Sequence, residues 1–213
     1  MEVEAKYILV KGYAGSVQSF KNSEVQLDRF VVRGTVAIAQ GAEDPEFVSY
    51  FIANTSTGLS FAEEFPKGIK GKAFTFGSKG LTSGSLMPEY FIRQHFGQTP
   101  RDVFEWVGFS GDHSKTLALV QSGSYEVGAV NFKVWRKEVD AAKVQVIWRT
   151  PTYPDYNWTI RGDADKTYGT GLIKKVQQAL IDIQDRSILD ACPRSRFIPA
   201  DNSMCKPIFR YGY

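Results

Sequence analysis

The sequence predicts an α/β fold in which helices alternate with strands in mainly parallel sheets. Short apolar runs rich in β-branched and aromatic residues, such as residues 47–53 and 72–76, are typical of strands. Longer segments, such as residues 166–185, repeat apolar side chains with the spacing of one helix face. Because two strands joined by a helix usually form a parallel pair, this alternation favours parallel sheets with flanking helices.

Length and composition are those of a folded protein with a substantial core. The chain has 213 residues, of which 43% are hydrophobic, and this length fits one domain or two small lobes. The formal net charge is only +3 and no basic run is dense, which argues against a nucleic-acid-binding protein. The apolar runs are too short to cross a membrane. Residues 1–7 lack the features of a signal peptide, so we expect either a mature or a cytosolic chain.

In the first part of the chain, the patterns predict short strands joined by short helices and turns. The first strand is expected to end in the apolar run Tyr7-Ile8-Leu9-Val10. The predicted elements, in order, are a strand at 4–10, a short helix at 16–21, strands at 24–30 and 47–53, a helix-like connector at 59–65, a turn at 67–71 and a strand at 72–76.

The second part of the chain contains the longer predicted helices. Gly97 and Gly123 stand where two of these helices are expected to end, because glycine adopts the left-handed conformation of a helix C-terminus. The predicted elements are helices at 89–96, 113–122, 166–185 and 187–191 and strands at 125–132 and 144–148, with an irregular tail from Arg194.

The segment at residues 77–88 has the layout of an anion-binding loop. It consists mostly of small residues and lies between a predicted strand and a predicted helix. The first amides of a helix have no partner within it, and the helix dipole favours negative charge there. Thr82 and Ser83 each supply a hydroxyl and an amide for one oxyanion. The alternative is an ordinary helix cap, for which threonine and serine are also common.

Three other residues are candidates for contact with the same ligand. His113 opens a predicted helix, where a histidine can donate to an oxyanion, although a surface or capping histidine fits as well. Asn131 ends a predicted strand, a position that asparagine also favours for its turn chemistry. Tyr153 belongs to a cluster of prolines and aromatic residues at 151–158, which fits either a cleft or core packing.

Motifs of several enzyme classes are missing from the sequence. Lys79 precedes its glycine, so the loop does not have the order of a nucleotide-binding phosphate loop. Neither a nucleophile elbow nor a zinc-protease helix nor a cysteine metal cluster is present. We therefore expect a non-catalytic protein without a cofactor or metal. Cys192 and Cys205 leave a disulfide open.

Several segments in a fixed order resemble one family of transport proteins. They are FGSKGLTSGSLMP at 76–88, GFSGDHSKT at 108–116, GAVNFKVW at 128–135, IWRTP at 147–151 and YPDYNW at 153–158. Together they are similar to the phosphonate/phosphite-type substrate-binding proteins of ABC transporters, which are type 2 periplasmic binding proteins. The likeness extends from about residue 36 to residue 207.

The resemblance implies a two-lobe, non-catalytic protein that captures phosphite, a phosphonate or phosphate for an ABC importer. Residues 1–56 and 150–213 would form the first lobe, and residues 57–149 the second lobe with the anion-binding loop. Leu81 stands where the family has a serine, so it keeps the amide but loses a hydroxyl. The resemblance implies the following ligand-binding residues: Tyr13, Leu81, Thr82, Ser83, His113, Asn131 and Tyr153.

The first lobe departs from the family pattern. Arg29 stands where the family has an aromatic residue, the following glycine turn is missing, and an earlier strand and helix are absent. We therefore expect a first lobe that is shortened at its N-terminal end. Two alternatives stay open, a truncated relative with lost or altered binding and a phosphate-ester enzyme that uses the same loop. The expected partner is an ABC transporter permease, and the family implies a periplasmic or other extracytoplasmic location.

Overall fold

The computed structural model describes residues 9–12, 35–41, 46–79, 81–154, 157–191 and 195–203. The chain divides into two compact units, one within Met1–Phe47 and Tyr153–Tyr211 and the other formed by Val48–Thr152. The expected lobes are residues 1–56 with 150–213 and residues 57–149, and they would form the two sides of a binding cleft. This assignment of residues to lobes stays a prediction. Tyr13, Arg29, Cys192 and Cys205 lie outside the described residues.

Between residues 73 and 149, helices separate successive strands, as is typical of the α/β class. The strands are β1 (Leu9–Gly12), β2 (Thr35–Gly41), β3 (Glu46–Phe47), β4 (Ser49–Asn54), β5 (Ala73–Phe76), β6 (Trp106–Phe109), β7 (Val127–Asn131), β8 (Val144–Arg149), β9 (Tyr153–Pro154), β10 (Asn157–Arg161) and β11 (Phe197–Pro199). The α-helices are α1 (Met87–Phe96), α2 (Pro100–Val103), α3 (His113–Gln121), α4 (Phe132–Glu138), α5 (Ala164–Tyr168), α6 (Leu172–Ile181) and α7 (Arg186–Ala191).

The second unit is built on a five-stranded sheet in the order β6-β5-β7-β4-β8. β5 pairs in parallel with β6 and with β7. β4 lies between β7 and β8 and is antiparallel to both. The sheet is therefore mixed, and the expectation of mainly parallel sheets is wrong. Alternation with helices predicts the parallel pairs, but it does not reveal that an earlier strand inserts between two later ones.

In the first unit, the described strands form antiparallel sheets. One sheet has the order β1-β10-β2-β11, and β3 pairs with β9. One face of the larger sheet is covered by α6, whose apolar stripe packs against Ile38, Ile160 and Ala164. This stripe, which the sequence predicts, consists of Leu172, Ile173, Val176 and Leu180.

Aromatic side chains form the centre of the second unit. The Phe51 ring is fully buried and makes edge contacts with Trp148 at 5.3 Å and with Phe65 at 5.6 Å between ring centroids. Phe74 lies 6.0 Å from Phe51 and stacks on Phe104 at 4.6 Å. Because Phe51, Phe74 and Trp148 come from β4, β5 and β8, the cluster holds the mixed sheet against the segments that carry Phe65 and Phe104.

Several predicted elements agree with the structure within a few residues. These are the strands at 47–53, 72–76, 125–132 and 144–148, the helices at 89–96, 113–122 and 187–191, and the turn at 67–71. Gly97 has φ 67° and directly follows α1, the helix that it was expected to end. Gly123 has φ 76° and lies two residues beyond the end of α3. The predicted elements at 16–21 and 24–30, and all of residues 4–8, lie outside the described residues.

Three predicted elements are wrong, each for a local reason. Residues 59–65 are not helical, because Ala62 and Glu63 hydrogen-bond with Ile147 and Trp148 on β8 and Pro66 disfavours helix before it. The helix at 166–185 is broken into α5 and α6 at Gly169 and Gly171, which have φ 119° and 82°. The tail forms β11 because it pairs with β2. Elements that were not predicted are β2, β6, β9, β10, α2 and α4.

We predict that Phe51→Ala lowers the free energy of unfolding by about 3–5 kcal/mol, because it leaves a cavity among three buried rings. Phe61→Ala is the matched control, since the Phe61 side chain is 43% exposed. Urea denaturation of both variants measures the difference. Equal losses in the two variants would contradict the assignment of Phe51 to the core.

Candidate functional site

Three helices begin at one edge of the sheet in the second unit. β6 and β7 each pair in parallel with β5, so the carboxyl ends of all three strands lie at the same edge of the sheet. α1 follows β5, α3 follows β6 and α4 follows β7. The helix after β5 begins with a turn of π-helix at Thr82–Leu86, which continues without a break into α1. Ligands of open α/β sheets bind beyond the carboxyl ends of the strands.

The Thr82–Leu86 turn presents its first amides without a capping side chain. Leu81 precedes the turn in an extended conformation, with φ −68° and ψ 124°, and makes no side-chain cap. Its carbonyl accepts from the N–H groups of Ser85 and Leu86 at 2.9 and 3.0 Å. The amides of Thr82, Ser83 and Gly84 come before this bonding pattern starts, and the first amides of a helix have no partner within it. This turn is therefore a group of backbone donors at the positive end of a helix.

The other two helix starts at this edge are capped. Asp112 caps α3, where its carboxylate accepts from the N–H of Lys115 at 2.7 Å. That bond lowers the pKa of Asp112. Asn131 caps α4, where its Oδ1 accepts from the N–H of Val134 at 2.8 Å. Within the part of the chain that the structure describes, the Thr82–Leu86 turn is thus the one of these three helix starts that no side chain caps.

Thr82, Ser83 and His113 lie together in the second unit. Ser83 Oγ and His113 Nε2 are 3.1 Å apart and form a hydrogen bond. Thr82 and Ser83 are almost fully buried, at 4% and 5% exposure. Asn131 is at the end of β7, which contacts the turn. The predicted anion-binding loop therefore has the hydroxyls and the histidine close to one helix start, while its residues 82–86 are already helical.

Gly84 provides the space for the His113 ring. A Cβ atom at Gly84 would lie 2.7 Å from His113 Cε1 and 3.1 Å from Nδ1. A side chain at this position would therefore displace the imidazole. The sequence analysis did not predict this role, because Gly84 and His113 are distant in the chain and no local pattern connects them. The clue in the sequence is a third glycine in a loop that already contains two.

Burial keeps the His113 imidazole neutral near neutral pH. It lowers the pKa of His113 from 6.5 to about 4, and the neighbouring Asp112 carboxylate opposes this effect. Lys115 pairs with that carboxylate at 3.3 Å. The neutral ring has one donor and one acceptor nitrogen, and Nε2 is the one that contacts Ser83.

A hydrogen-bond network fixes the segment that leads to His113. Ser110 Oγ lies 2.8 Å from the Asp112 carbonyl and 2.7 Å from Thr116 Oγ1. The N–H of Ser110 donates to the Phe76 carbonyl at 2.9 Å, which continues the pairing of β5 and β6 beyond the strands. This network sets the position at which α3 begins.

For three of the predicted ligand-binding residues, the structure gives less evidence about contact with a ligand. Tyr13 lies outside the described residues. Tyr153 belongs to the first unit, is 5% exposed and packs its ring 5.8 Å from that of Phe47. The Leu81 side chain lies beside Gly77. Contact of these three residues with a ligand stays a prediction, as does that of Thr82, Ser83, His113 and Asn131.

Lys79 adds a positive charge to the same loop. Its Nζ lies 5.2 Å from the centre of the Phe109 ring at the end of β6.

Within the described parts of the chain, His, Cys, Asp and Glu side chains form no group of three or more that could hold a metal ion. A search of the same residues finds no helix with the length and apolar character of a membrane span.

Comparison with protein families gives one match that covers most of the chain. The model of the family described as "ABC transporter, phosphonate, periplasmic substrate-binding protein" matches residues 1–205. A curated relative, the probable ABC transporter phosphite binding protein PhnD1 of Prochlorococcus marinus (strain MIT 9301), is 34% identical. The alignment includes all of this chain and 79% of the relative.

Solved structures give the same result at the level of the fold. PhnD1 of Prochlorococcus marinus in complex with methylphosphonate matches with a TM-score of 0.73 and 31% identity, over 97% of this chain and 78% of PhnD1. A binding protein component of an ABC phosphonate transporter from Pseudomonas aeruginosa matches with a TM-score of 0.68 and 18% identity, over 97% and 68% of the two chains. XAC2383 from Xanthomonas citri, bound to ATP, has a TM-score of 0.71 and 14% identity, over 98% and 82%.

We predict that the free energy of unfolding falls as the pH drops from about 6.5 to about 4, by up to about 3 kcal/mol. Above this range the imidazole is neutral in both states. Within it, the unfolded chain binds a proton at His113 that the folded protein does not bind, so the unfolded state gains stability. Urea denaturation at a series of pH values measures the effect.

The His113→Gln variant is the control for this pH dependence, because it lacks the titrating ring. The difference between its stability curve and that of the wild-type protein isolates the contribution of His113. Parallel curves would show that His113 has an ordinary pKa in the folded protein. His95→Gln reports the separate contribution of the second histidine, whose pKa is also lowered by burial and by Lys67.

Proposed function

The chain belongs to the phosphonate-type periplasmic substrate-binding proteins of ABC transporters, and from this premise we propose that its ligand is a small phosphorus oxyanion. The candidates are phosphite, a simple phosphonate and phosphate. The relative with 34% identity is named as a phosphite binding protein, and the one with 31% identity is in complex with methylphosphonate. The ligand would be captured without chemical change and delivered to an ABC importer.

The uncapped start of the Thr82–Leu86 turn is the observation that carries this proposal. Its first amides have no capping side chain and stand at the positive end of a fifteen-residue helical segment that runs from Thr82 to Phe96. The Thr82 and Ser83 hydroxyls add two donors at the same point. Fixed donors in a buried position recognise an oxyanion because a ligand that leaves them unpaired costs about 1–3 kcal/mol per group.

Capture without reaction fits the surroundings of His113. In a serine–histidine catalytic pair, the second ring nitrogen donates to a group that orients the ring. The corresponding nitrogen of His113, Nδ1, lies instead against the backbone of Gly84. This arrangement supports binding over a phosphate-ester enzyme that uses the same loop.

Asn131 points to a ligand without a positively charged group. It stands where the family often has an aspartate, and its Oδ1 is engaged in capping α4. A neutral amide does not repel a dianion, and it offers no negative charge to an ammonium group. Phosphite, phosphate or a simple alkyl phosphonate therefore fits this position better than an aminophosphonate. Membership of the family implies an extracytoplasmic location, and the proposed partner is the permease of the importer.

We predict that phosphite, phosphate or methylphosphonate raises the melting temperature, because a ligand that binds only the folded state stabilises it by mass action. At one hundred times the Kd, the stabilisation is about 2.7 kcal/mol. A thermal-shift panel at millimolar concentrations, including sulfate and selenate, measures the effect. An unchanged melting temperature across the whole panel would argue against oxyanion binding.

We predict that replacing both Thr82 and Ser83 with alanine weakens binding at least about tenfold, because each lost hydrogen bond to a charged ligand costs about 1.5–3 kcal/mol. Calorimetric titration of the best ligand from the panel measures the loss. The matched control replaces Ser122 and Ser124, an exposed pair of hydroxyls 2.8 Å apart at the other end of α3. If the first double variant binds as tightly as the control, the turn is an ordinary helix start.

A further inference from the structure

The strand β6 forms one edge of the five-stranded sheet, and its outer side is open. In the order β6-β5-β7-β4-β8, it pairs with β5 and has no second neighbour among the described residues. The opposite edge is covered, because residues 59–63 run beside β8, where the Ala62 N–H donates to the Ile147 carbonyl at 3.1 Å. The two edges of the sheet therefore differ, and the described part of the chain leaves β6 uncovered.

The exposed side chains of β6 are aromatic. Trp106 is 64% exposed and Phe109 is 43% exposed. The strand lacks the charged residues and prolines that usually keep an edge strand from pairing with another chain. The indole N–H of Trp106 donates to the Tyr125 hydroxyl at 3.0 Å, which holds the ring in place. The edge is therefore an ordered apolar strand with nothing in it that opposes a further strand.

The backbone of β6 directs alternate peptide groups to the open side. The N–H of Ser110 donates to the Phe76 carbonyl at 2.9 Å, in register with the pairing of β5 and β6. Because the peptide groups of a strand alternate between its two sides, Gly108 also faces β5, whereas Val107 and Phe109 face away from it. A strand laid along this side would find the N–H and C=O groups of both residues available.

Opposite charges stand at the two ends of this open edge. Glu105 directly precedes β6 and is exposed. At the other end, Lys79 Nζ lies 5.2 Å from the centre of the Phe109 ring. Within the described residues, neither Glu105 nor Lys79 forms an ion pair. A second copy of the edge would align opposite charges if it ran antiparallel and like charges if it ran parallel.

We propose that β6 is a dimerisation surface on which two copies of this chain pair their β6 strands in antiparallel orientation. A two-fold axis passes between Val107 and Val107 of the second copy, and these two residues exchange both of their backbone hydrogen bonds. The two five-stranded sheets thereby become one continuous sheet. Each copy contributes the same surface, so the assembly closes as a dimer and does not continue into a fibre.

This register brings the two unpaired charges together. Glu105 lies opposite Phe109 of the second copy, and residues directly opposite in an antiparallel pair share one face of the sheet. Lys79 of the second copy lies over that same Phe109 ring. The symmetry forms this Glu105–Lys79 pair at both ends of the interface. The complementarity of the edge with itself favours a second copy over an unrelated strand as the occupant.

The other face of the joined sheet receives the exposed tryptophan. Trp106 lies opposite Gly108 of the second copy, where the Tyr125 hydroxyl occupies the place that a side chain would take. Aromatic rings from the two copies therefore lie next to each other across the new strand pair. This contact covers the side chain that is most exposed among the large hydrophobic residues of the described chain.

The first experiment is sedimentation velocity of the ligand-free protein over a concentration series. The paired edge is short, so we expect a transient dimer with a Kd on the order of 10 µM that dissociates on dilution. A protein that stays monomeric up to about 500 µM would overturn the proposal. Because no oxyanion is present, this outcome is independent of the proposed function.

Charge reversal tests whether the dimer uses the proposed register. We expect Glu105→Lys and Lys79→Glu each to weaken dimerisation at least about tenfold, because each substitution places like charges together at both ends of the interface. The variant with both substitutions restores the pair with its signs exchanged and should return to within about threefold of the wild-type Kd. All four charged side chains in this test and its control are exposed, so folding is retained.

The matched controls for charge reversal are Glu64→Lys and Lys175→Glu, which change the net charge by the same amounts. Both should leave the Kd within about threefold of the wild-type value. If the two reversals at the β6 edge weaken dimerisation no more than these controls, or if their combination does not recover it, the proposal is overturned.

Amide hydrogen exchange identifies the surface that pairs. In ligand-free protein followed by ¹H–¹⁵N NMR, we expect exchange at Val107 and Phe109 to slow as the protein concentration rises, because their N–H groups become bonded to the second copy. Gly108 is the internal control, since its N–H faces β5 in the monomer as well. A dimer in which Val107 and Phe109 exchange at a rate independent of concentration would use another surface and would overturn the proposal.

Discussion

The geometry of the candidate site depends on the hydrogen bond between Ser83 and His113. This bond joins the helix start that follows β5 to the helix start that follows β6. The pairing of these neighbouring parallel strands continues past their ends through Ser110 and Phe76, so the two segments leave the sheet side by side. Gly84 then admits the imidazole. The pairing of β5 with β6, the helix start after β5 and the space at Gly84 together fix the positions of the Ser83 and His113 side chains.

The three helix starts at this edge illustrate two uses of polar residues. Asp112 and Asn131 precede their helices and accept from backbone amides, which is the usual way to stabilise a helix start. In the Thr82–Leu86 turn, the preceding residue is Leu81, and the polar residues lie inside the first turn. A capped helix start has its donors occupied, whereas an uncapped one has donors for a ligand. Leu81 in place of a capping residue therefore leaves the first amides available to the proposed ligand, at a cost in local stability.

Much of this site was predictable because its components are local in the sequence. Thr82 and Ser83 lie between a strand and a helix, and His113 opens the next helix, so spacing alone assigns each of them to a helix start. The contact of Gly84 with His113 was not predictable, because it depends on how closely β5 and β6 approach at their ends. The capping bond of Asn131 was an alternative that local sequence allowed but did not select.

The sequence by itself determined the α/β class, four of the five strands in the sheet of the second unit and the apolar stripe of α6, because the periods of strands and helices are visible in neighbouring residues. Tertiary structure decided which strands pair. β4 enters between β7 and β8 in antiparallel orientation because that position buries Phe51 among Phe65, Phe74 and Trp148, which come from three other parts of the chain. In the same way, β11 exists only through its pairing with β2. The pairing of strands depends on which residues, distant in the sequence, are buried against each other, and local sequence patterns carry no information about that.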